Sequence, residues 1–257
     1  MDTFIKILVC VIAGAGAGLG TGFAGMSAAA AISPILIEFL GMSAYEAVGI
    51  ALASDVLASA VSAYTYHKNK NLDIKNGFVM MLSVLLFTSL GSLAASVVEN
   101  ETMGGFSIFM TLLLGVRFLV KPVTTTKESM EAIDQGSQRI RSIIFGALIG
   151  FVCGFVGAGG GLMMLLVLTS VLGYELKTAV GTSVFIMSFT ALTGSISHFT
   201  FGGAPDTLCL IVCVISTFVW ARIAAKIANR STPKILNRVT GIILIAIGLA
   251  IFITKLM

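Results

Sequence analysis

Charge is scarce in this sequence. Asp, Glu, Lys and Arg make up 11% of the residues, where soluble domains carry about 25%. A chain so poor in charge cannot solvate a globule of its own size. A larger core cannot absorb the excess, because hydrophobic residues amount to 57% and long apolar runs recur from one end to the other. The mean hydropathy of +1.03 says the same. The bilayer is the solvent. Each spanning helix needs ~20 mostly apolar residues and must satisfy its backbone hydrogen bonds internally.

Other absences narrow the chemistry. There is no HExxH, no Walker motif, no GxSxG and no cluster of metal ligands, so no metal or cofactor is expected. No loop is large enough for a nucleotide-driven motor domain. The polar inventory inside the apolar runs is too poor for paired carboxylates or a Ser/His pair, which leaves a membrane enzyme or scaffold as the minor alternative. Cys10, Cys153, Cys209 and Cys213 lie in apolar runs without a CxxC. They read as small apolar residues, with neither metal nor disulfide chemistry expected. The net charge of +4 does not point to nucleic acid, since the basic residues sit in short loops between apolar runs.

What is present is a set of eight apolar blocks, roughly 4–40, 44–66, 74–98, 103–121, 141–172, 175–200, 205–228 and 233–256. The long polar stretch from Lys121 to Arg141 divides them. The expected organisation is a first membrane repeat over 1–121, a cytoplasmic linker over 122–140 and a second membrane repeat over 141–257. A shift of 132 positions superimposes the halves. Gly14 falls on Gly146, Gly18 on Gly150, and Gly22-Phe23-Ala24-Gly25 on Gly154-Phe155-Val156-Gly157. Leu40-Gly41 falls on Leu172-Gly173 and Ala47-Val48-Gly49 on Ala179-Val180-Gly181. The spacing of the glycines indicates duplication. It also argues against a cleaved leader at the start, where Lys6 precedes an apolar stretch.

Loop charge predicts topology. Lys68, Lys70 and Lys75 put the loop after the second block inside, and Glu99 with Glu101 put the next one outside. Lys121, Lys127, Arg139 and Arg141 put the linker inside. The loop around Asp206 carries no base, whereas Lys226, Arg230, Lys234 and Arg238 crowd the one after it. Equivalent loops fall on opposite sides, so the halves are expected to be inverted repeats. Inversion requires an odd net number of crossings per half, but each half has four blocks. The first and fifth blocks are also overlong, at ~54 Å of helix for a ~30 Å hydrocarbon core. Both problems vanish if these blocks fold back at their glycine clusters, as two short spans or as a re-entrant hairpin. The expectation is an all-α polytopic fold with up to ten membrane segments and both termini outside.

The fold-back points are GTGFAGMSAAAAISP (Gly20 to Pro34) and GFVGAGGGLMM (Gly154 to Met164). Such glycine density suits a turn, close backbone packing, or amides facing a solute. Broken helices in inverted-repeat carriers aim their N-terminal dipole ends at anionic groups. Helices starting near Ser27 and Gly160 would do so here, which makes Met26 and Ser27 candidates beside the glycines. Asp55 lies midway along the second block, where an ionised carboxylate costs roughly 2.5–3.5 kcal/mol. Ser59, Ser62 and Tyr66 follow it on one helical face. Asp55 either couples proton movement to the solute or makes a structural hydrogen bond to a neighbouring helix. The matching helix has Met187 at that position, with Thr182, Ser183, Thr190, Thr193 and Ser197 supplying hydroxyls. Those can donate to an anion or bond back to their own helix, and Thr182 and Ser183 are the favoured pair. His67 and His198 read as interfacial, and Arg117, Arg222 and Lys226 as snorkelling cations at inner ends.

GFVGAGGG (Gly154 to Gly161), the leucine-glycine turn followed by AVGTS (Ala179 to Ser183), and the first-half GFAG…PIL…LG…AVG ending at Gly49 together resemble the TauE/SafE sulfite exporter family. HKNKNLD (His67 to Asp73) and ARIAAKIANRSTPKILNR (Ala221 to Arg238) are similar to that family's loops. The resemblance implies secondary-active, often outward, transport of small sulfur-containing anions such as sulfite, thiosulfate or organosulfonates across a prokaryotic plasma membrane. It places Gly22, Gly25, Gly157, Gly159, Gly160, Gly161, Thr182 and Ser183 around the solute. The implied partners are that anion, protons and the bilayer, with no nucleic acid. A homodimer is compatible with the small-residue patterns without being required by them. A channel or carrier of the same fold for a cation, zwitterion or other organic anion is the alternative.

Overall fold

Runs of about 20 apolar residues can satisfy their backbone in a bilayer only as helices or closed barrels, and this chain forms helices. In the computed structural model, which describes residues 3–95, 103–132, 134–156, 160–202 and 205–256, all regular structure among the described residues is helical. The order is α1 (Thr3–Ala24), α2 (Ala29–Leu40), α3 (Ala44–Lys68), α4 (Ile74–Ala95), α5 (Met103–Val120), α6 (Lys127–Glu131), α7 (Gln135–Val156), α8 (Gly160–Ser170), α9 (Leu176–Gly202), α10 (Thr207–Arg230) and α11 (Pro233–Leu256). Among the described residues, five helical stretches in α1, α3, α9, α10 and α11 are long and apolar enough to cross a membrane. Leu86, Ile144, Ile215 and Ile242 are exposed, while Ser54, Asp55, Ser59, Ser62, Thr182 and Ser183 are fully buried. Apolar groups face out and polar groups face in, as lipid demands. This is a multi-pass membrane protein.

The first apolar block does not run straight through. α2 has 12 residues and α8 has 11, so each is ~17–18 Å long and covers about half of a ~30 Å hydrocarbon core. α1 ends at Ala24, the chain turns, and α2 leads back to the end where α1 began. Lys6 of α1 donates to Asp206, whose backbone N–H donates to Glu46 in the first turn of α3. The fifth block divides likewise into α7 and α8, with residues 157–159 outside the described residues. Gly41 and Gly173 end the two short helices in left-handed conformation, at φ 64° and 68°. Met42 N–H donates to the Leu36 carbonyl and Tyr174 N–H to that of Leu168, at 3.4 and 2.8 Å. The repeated Leu-Gly is thus a repeated helix end, placed where only glycine adopts that conformation without strain.

α1 packs along α10, α4 along α7, α3 along α9 and α5 along α11. Exchanging α1–α5 with α7–α11, taken in order, turns the α1–α10 pairing into α4–α7 and leaves α3–α9 and α5–α11 as themselves. The repeated glycines sit at the exchanged interfaces. A Cβ on Gly18 would lie 2.6 Å from the Thr217 carbonyl oxygen of α10, and one on Gly14 2.7 Å from Ser216 Cβ. In α7, a Cβ on Gly146 would lie 3.0 Å from the Met80 carbonyl oxygen of α4, and one on Gly150 would collide with Val84. Without a hydrophobic force between helices in lipid, such close backbone contact supplies the attraction. α6 is a short helix capped by Thr126 and Ser129, and α7 begins inside the stretch read as linker.

Candidate functional site

The turn between α1 and α2 is built around Gly25. Its φ of +61° and the bonds Gly25 N–H to Thr21 O (2.9 Å) and Met26 N–H to Gly20 O (3.2 Å) terminate α1. Thr21 Oγ1 donates to the Met26 carbonyl at 2.8 Å and so ties down the far side of the turn. The start of α2 is held through Ser27, whose Oγ accepts from the Ala29 N–H at 3.3 Å. Asp55, fully buried on α3, meets it. Its carboxylate accepts from Ser27 Oγ at 2.7 Å and from Ser59 Oγ at 2.8 Å. A negative charge at a helix N-terminus is stabilised by the helix dipole, so Asp55 occupies the anion position of α2 itself. Hydrogen bonding to a neighbouring element, one of the two readings of Asp55, is what the geometry displays. Ser62, two turns along the same face, is fully buried with no partner for its hydroxyl.

The start of α8 lies against this turn. A Cβ on Gly161 would strike the Gly25 carbonyl oxygen and Met187 Sδ, and would come within 3.1 Å of Ser27 N. Ser183 Oγ, from α9, donates to the Gly25 carbonyl at 3.4 Å, and a Cβ on Gly25 would collide with that hydroxyl. Gly25, Met26, Ser27, Asp55, Gly161, Ser183 and Met187 therefore form one buried constellation, supplied by the starts of two half-length helices and by α3 and α9. The first turn of α8 carries no acidic residue. Met187 presents a thioether at the position that Asp55 takes in the other half.

Other expected site residues lie elsewhere. Gly22 packs against α10, where a Cβ would sit 2.5 Å from Ala224 Cβ, and its carbonyl accepts from Tyr66 OH at 2.9 Å. Thr182, one residue from Ser183, faces the other way; its Oγ1 accepts from Asp73 N at 3.2 Å. Gly160 opens α8, while Gly157 and Gly159 lie outside the described residues. Thr190 and Thr193 donate to carbonyls of their own helix, at Met187 and Phe189. The side chains of Ser197 and His198 lie outside the described residues, and His67, Arg222 and Lys226 are exposed. Arg117 reaches Thr169 Oγ1, at the end of α8, at 3.4 Å.

Two aspartates close the ends of the bundle. Asp73 accepts from Asn76 N and Nδ2 and from Tyr174 OH at 2.7 Å, which joins the α3–α4 loop to the α8–α9 loop. At the other end, Asp206 caps α10 through Cys209 N, accepts from Lys6 Nζ at 2.8 Å and donates its own N–H to Glu46. The Lys6 ammonium, ahead of the Cys209 amide, holds the Asp206 carboxyl below the usual carboxylate range. Neither closure was legible in the sequence, because each joins residues more than a hundred positions apart. Among the described residues no group of three His, Cys, Asp or Glu has the arrangement to hold a metal.

The family model for the sulfite exporter TauE/SafE matches residues 10–251. The chain belongs to the TauE/SafE family. It is similar to Probable membrane transporter protein YunE of Bacillus subtilis, 24% identical over 230 residues that cover 84% of each chain. It is also similar to Probable membrane transporter protein YdhB of the same organism, 22% identical over 83% of this chain and 86% of the other. A third relative is Probable membrane transporter protein MJ0441 of Methanocaldococcus jannaschii, 24% identical over 89% and 87%. As a TauE/SafE protein, the chain is a membrane transporter, and no catalytic family is indicated.

Proposed function

We propose that this TauE/SafE protein is a secondary transporter, working as an exporter, for small sulfur-containing anions such as sulfite, thiosulfate or organosulfonates in a prokaryotic plasma membrane. The reading rests above all on one observation: α2 and α8 begin against each other inside the bundle and, among the described residues, a buried carboxylate stands at the start of α2 and none in the first turn of α8. Asp55 fills the anion position of α2, so the amides and dipole of α8 remain for a solute anion. Ser183 and the Gly25 turn lie against the start of α8, where the absent Cβ atoms of Gly25 and Gly161 let the backbones approach.

Alternating access acts through two inverted repeats. The exchange of helix pairings between halves supports this, as do the paired closures at Asp73 and Asp206. Proton coupling runs through Asp55, whose charge no basic group offsets among the described residues that perturb it. A proton on the carboxylate removes the charge that repels an incoming anion and loosens the bond from Ser27.

Counterflow in proteoliposomes with labelled sulfite, thiosulfate and a sulfonate, at two pH gradients, tests this. Flux of at least one of them that responds to the gradient is expected; no flux with any sinks the anion reading. Flux of a cation, driven by sodium and unaffected by these anions, would favour the same-fold alternative for which an uncompensated Asp55 speaks. Single cysteines at Asn71 and Asp206, labelled from one side at a time, test the inversion. Labelling from the same side refutes it.

A further inference from the structure

Three thiols that look unrelated in sequence converge between α1 and α10. Cys10, Cys209 and Cys213 are free and fully buried. Cys209 and Cys213 stand one turn apart on α10, which packs along α1. Cys213 Sγ approaches the Cys10 carbonyl oxygen at 3.8 Å, and one turn on Ser216 Oγ donates to Val11 O at 2.9 Å. A Cβ on Gly14 would lie 3.1 Å from the Cys213 carbonyl oxygen. Backbones this close are what a disulfide requires, since its Cα atoms stand only ~4.4–6.8 Å apart. The cluster also lies within two turns of the Lys6–Asp206 pair, at the bundle end that loop charge places outside the membrane, where disulfides persist.

We propose that Cys10 and Cys213 are a disulfide-forming pair that joins the two halves of the protein covalently across the α1–α10 contact. The bond forms when a two-electron thiol oxidant, such as a membrane-permeant diazene, takes up both S–H hydrogens. One thiol adds to the N=N bond. The second thiolate then displaces the nitrogen from sulfur, leaving Sγ–Sγ and a hydrazine. Cys213 is the partner in preference to Cys209 because its Sγ already approaches the Cys10 carbonyl oxygen.

The test uses the full chain with Cys153→Ala and a protease site inserted after Ala132, so that cleavage separates α1 from α10. After diazene treatment in membranes and cleavage, the two fragments are expected to run together on a non-reducing gel and apart after reduction. Cys10→Ala and Cys213→Ala should each abolish the joined band, and Cys209→Ala should retain it. Fragments that separate without reductant, with all three thiols still alkylated in denaturant, overturn the proposal. A joined band that survives Cys213→Ala but not Cys209→Ala overturns the pairing. The readout does not involve transport, so it stands or falls apart from the transported solute.

Discussion

Replacing Asp55 separates its charge from its hydrogen bonding. Asp55→Asn removes the charge but keeps a carbonyl oxygen with two lone pairs, enough to serve both donors now held by the carboxylate. Asp55→Leu removes charge and acceptor together and strands Ser27 Oγ and Ser59 Oγ. The Asn and Leu variants share the same relief from burying a carboxylate, so their difference isolates the bonds. Inside a membrane protein one such bond contributes on average ~0.6 kcal/mol and at most ~1.7. Ser59 can turn to its own helix backbone, which leaves Ser27 Oγ at the start of α2. Asp55→Leu should therefore be about 0.6–1.7 kcal/mol less stable than Asp55→Asn. Thermal unfolding of the detergent-solubilised proteins should show it as a midpoint lower by several degrees. In proteoliposomes the Asn variant should fold, bind and exchange anion, but lose its response to a proton gradient. Equal midpoints for Asn and Leu would refute the capping role. An Asn variant with full gradient-dependent flux would refute the coupling role.

Gly25→Ala should abolish transport, because a left-handed residue with a Cβ costs ~1–2 kcal/mol and the methyl group meets Ser183 Oγ. Gly41→Ala has the same backbone strain but open space around it, so it should lose a similar amount of stability and keep its flux; counterflow and melting of the two side by side check this. Gly18→Ala should destabilise the protein by about 1–3 kcal/mol through overpacking against α10, whereas Gly16→Ala, with nothing near it, should be neutral or slightly stabilising in the same melt. At the Lys6–Asp206 closure the Asp206 carboxyl titrates lower in the folded protein than in the unfolded chain. The stability it contributes is complete above the unfolded carboxylate value of ~3.9 and is lost as pH falls through the lower folded value. Lys6→Met should flatten that acid limb of the melting curve, and an unchanged limb would count against the pair.

The sequence by itself determined the membrane environment, the helical class and the places where helices stop. Those follow from local chemistry: too little charge for water, runs of about 20 apolar residues, and the matched Leu-Gly that closes each half-length helix at Gly41 and Gly173. The fold-back of the first block was legible for the same reason, since a helix of ~54 Å cannot sit in a ~30 Å core. What the repeated glycines do was not legible. Gly14, Gly18 and Gly22 share a spacing with Gly25, yet the first three pack against α10 and only Gly25 turns the chain and meets α8. Spacing along one helix does not reveal which neighbour that helix will face. Thr182 and Ser183 were read as a pair, but successive helical positions point about 100° apart, so one faces the Asp73 loop and the other the Gly25 turn. Asp55 was visible as an expensive residue. That it holds the start of α2 through Ser27, that Met187 takes its place against α8, and that three scattered cysteines converge were decided by tertiary packing, because each depends on which helices lie side by side and local sequence does not say which.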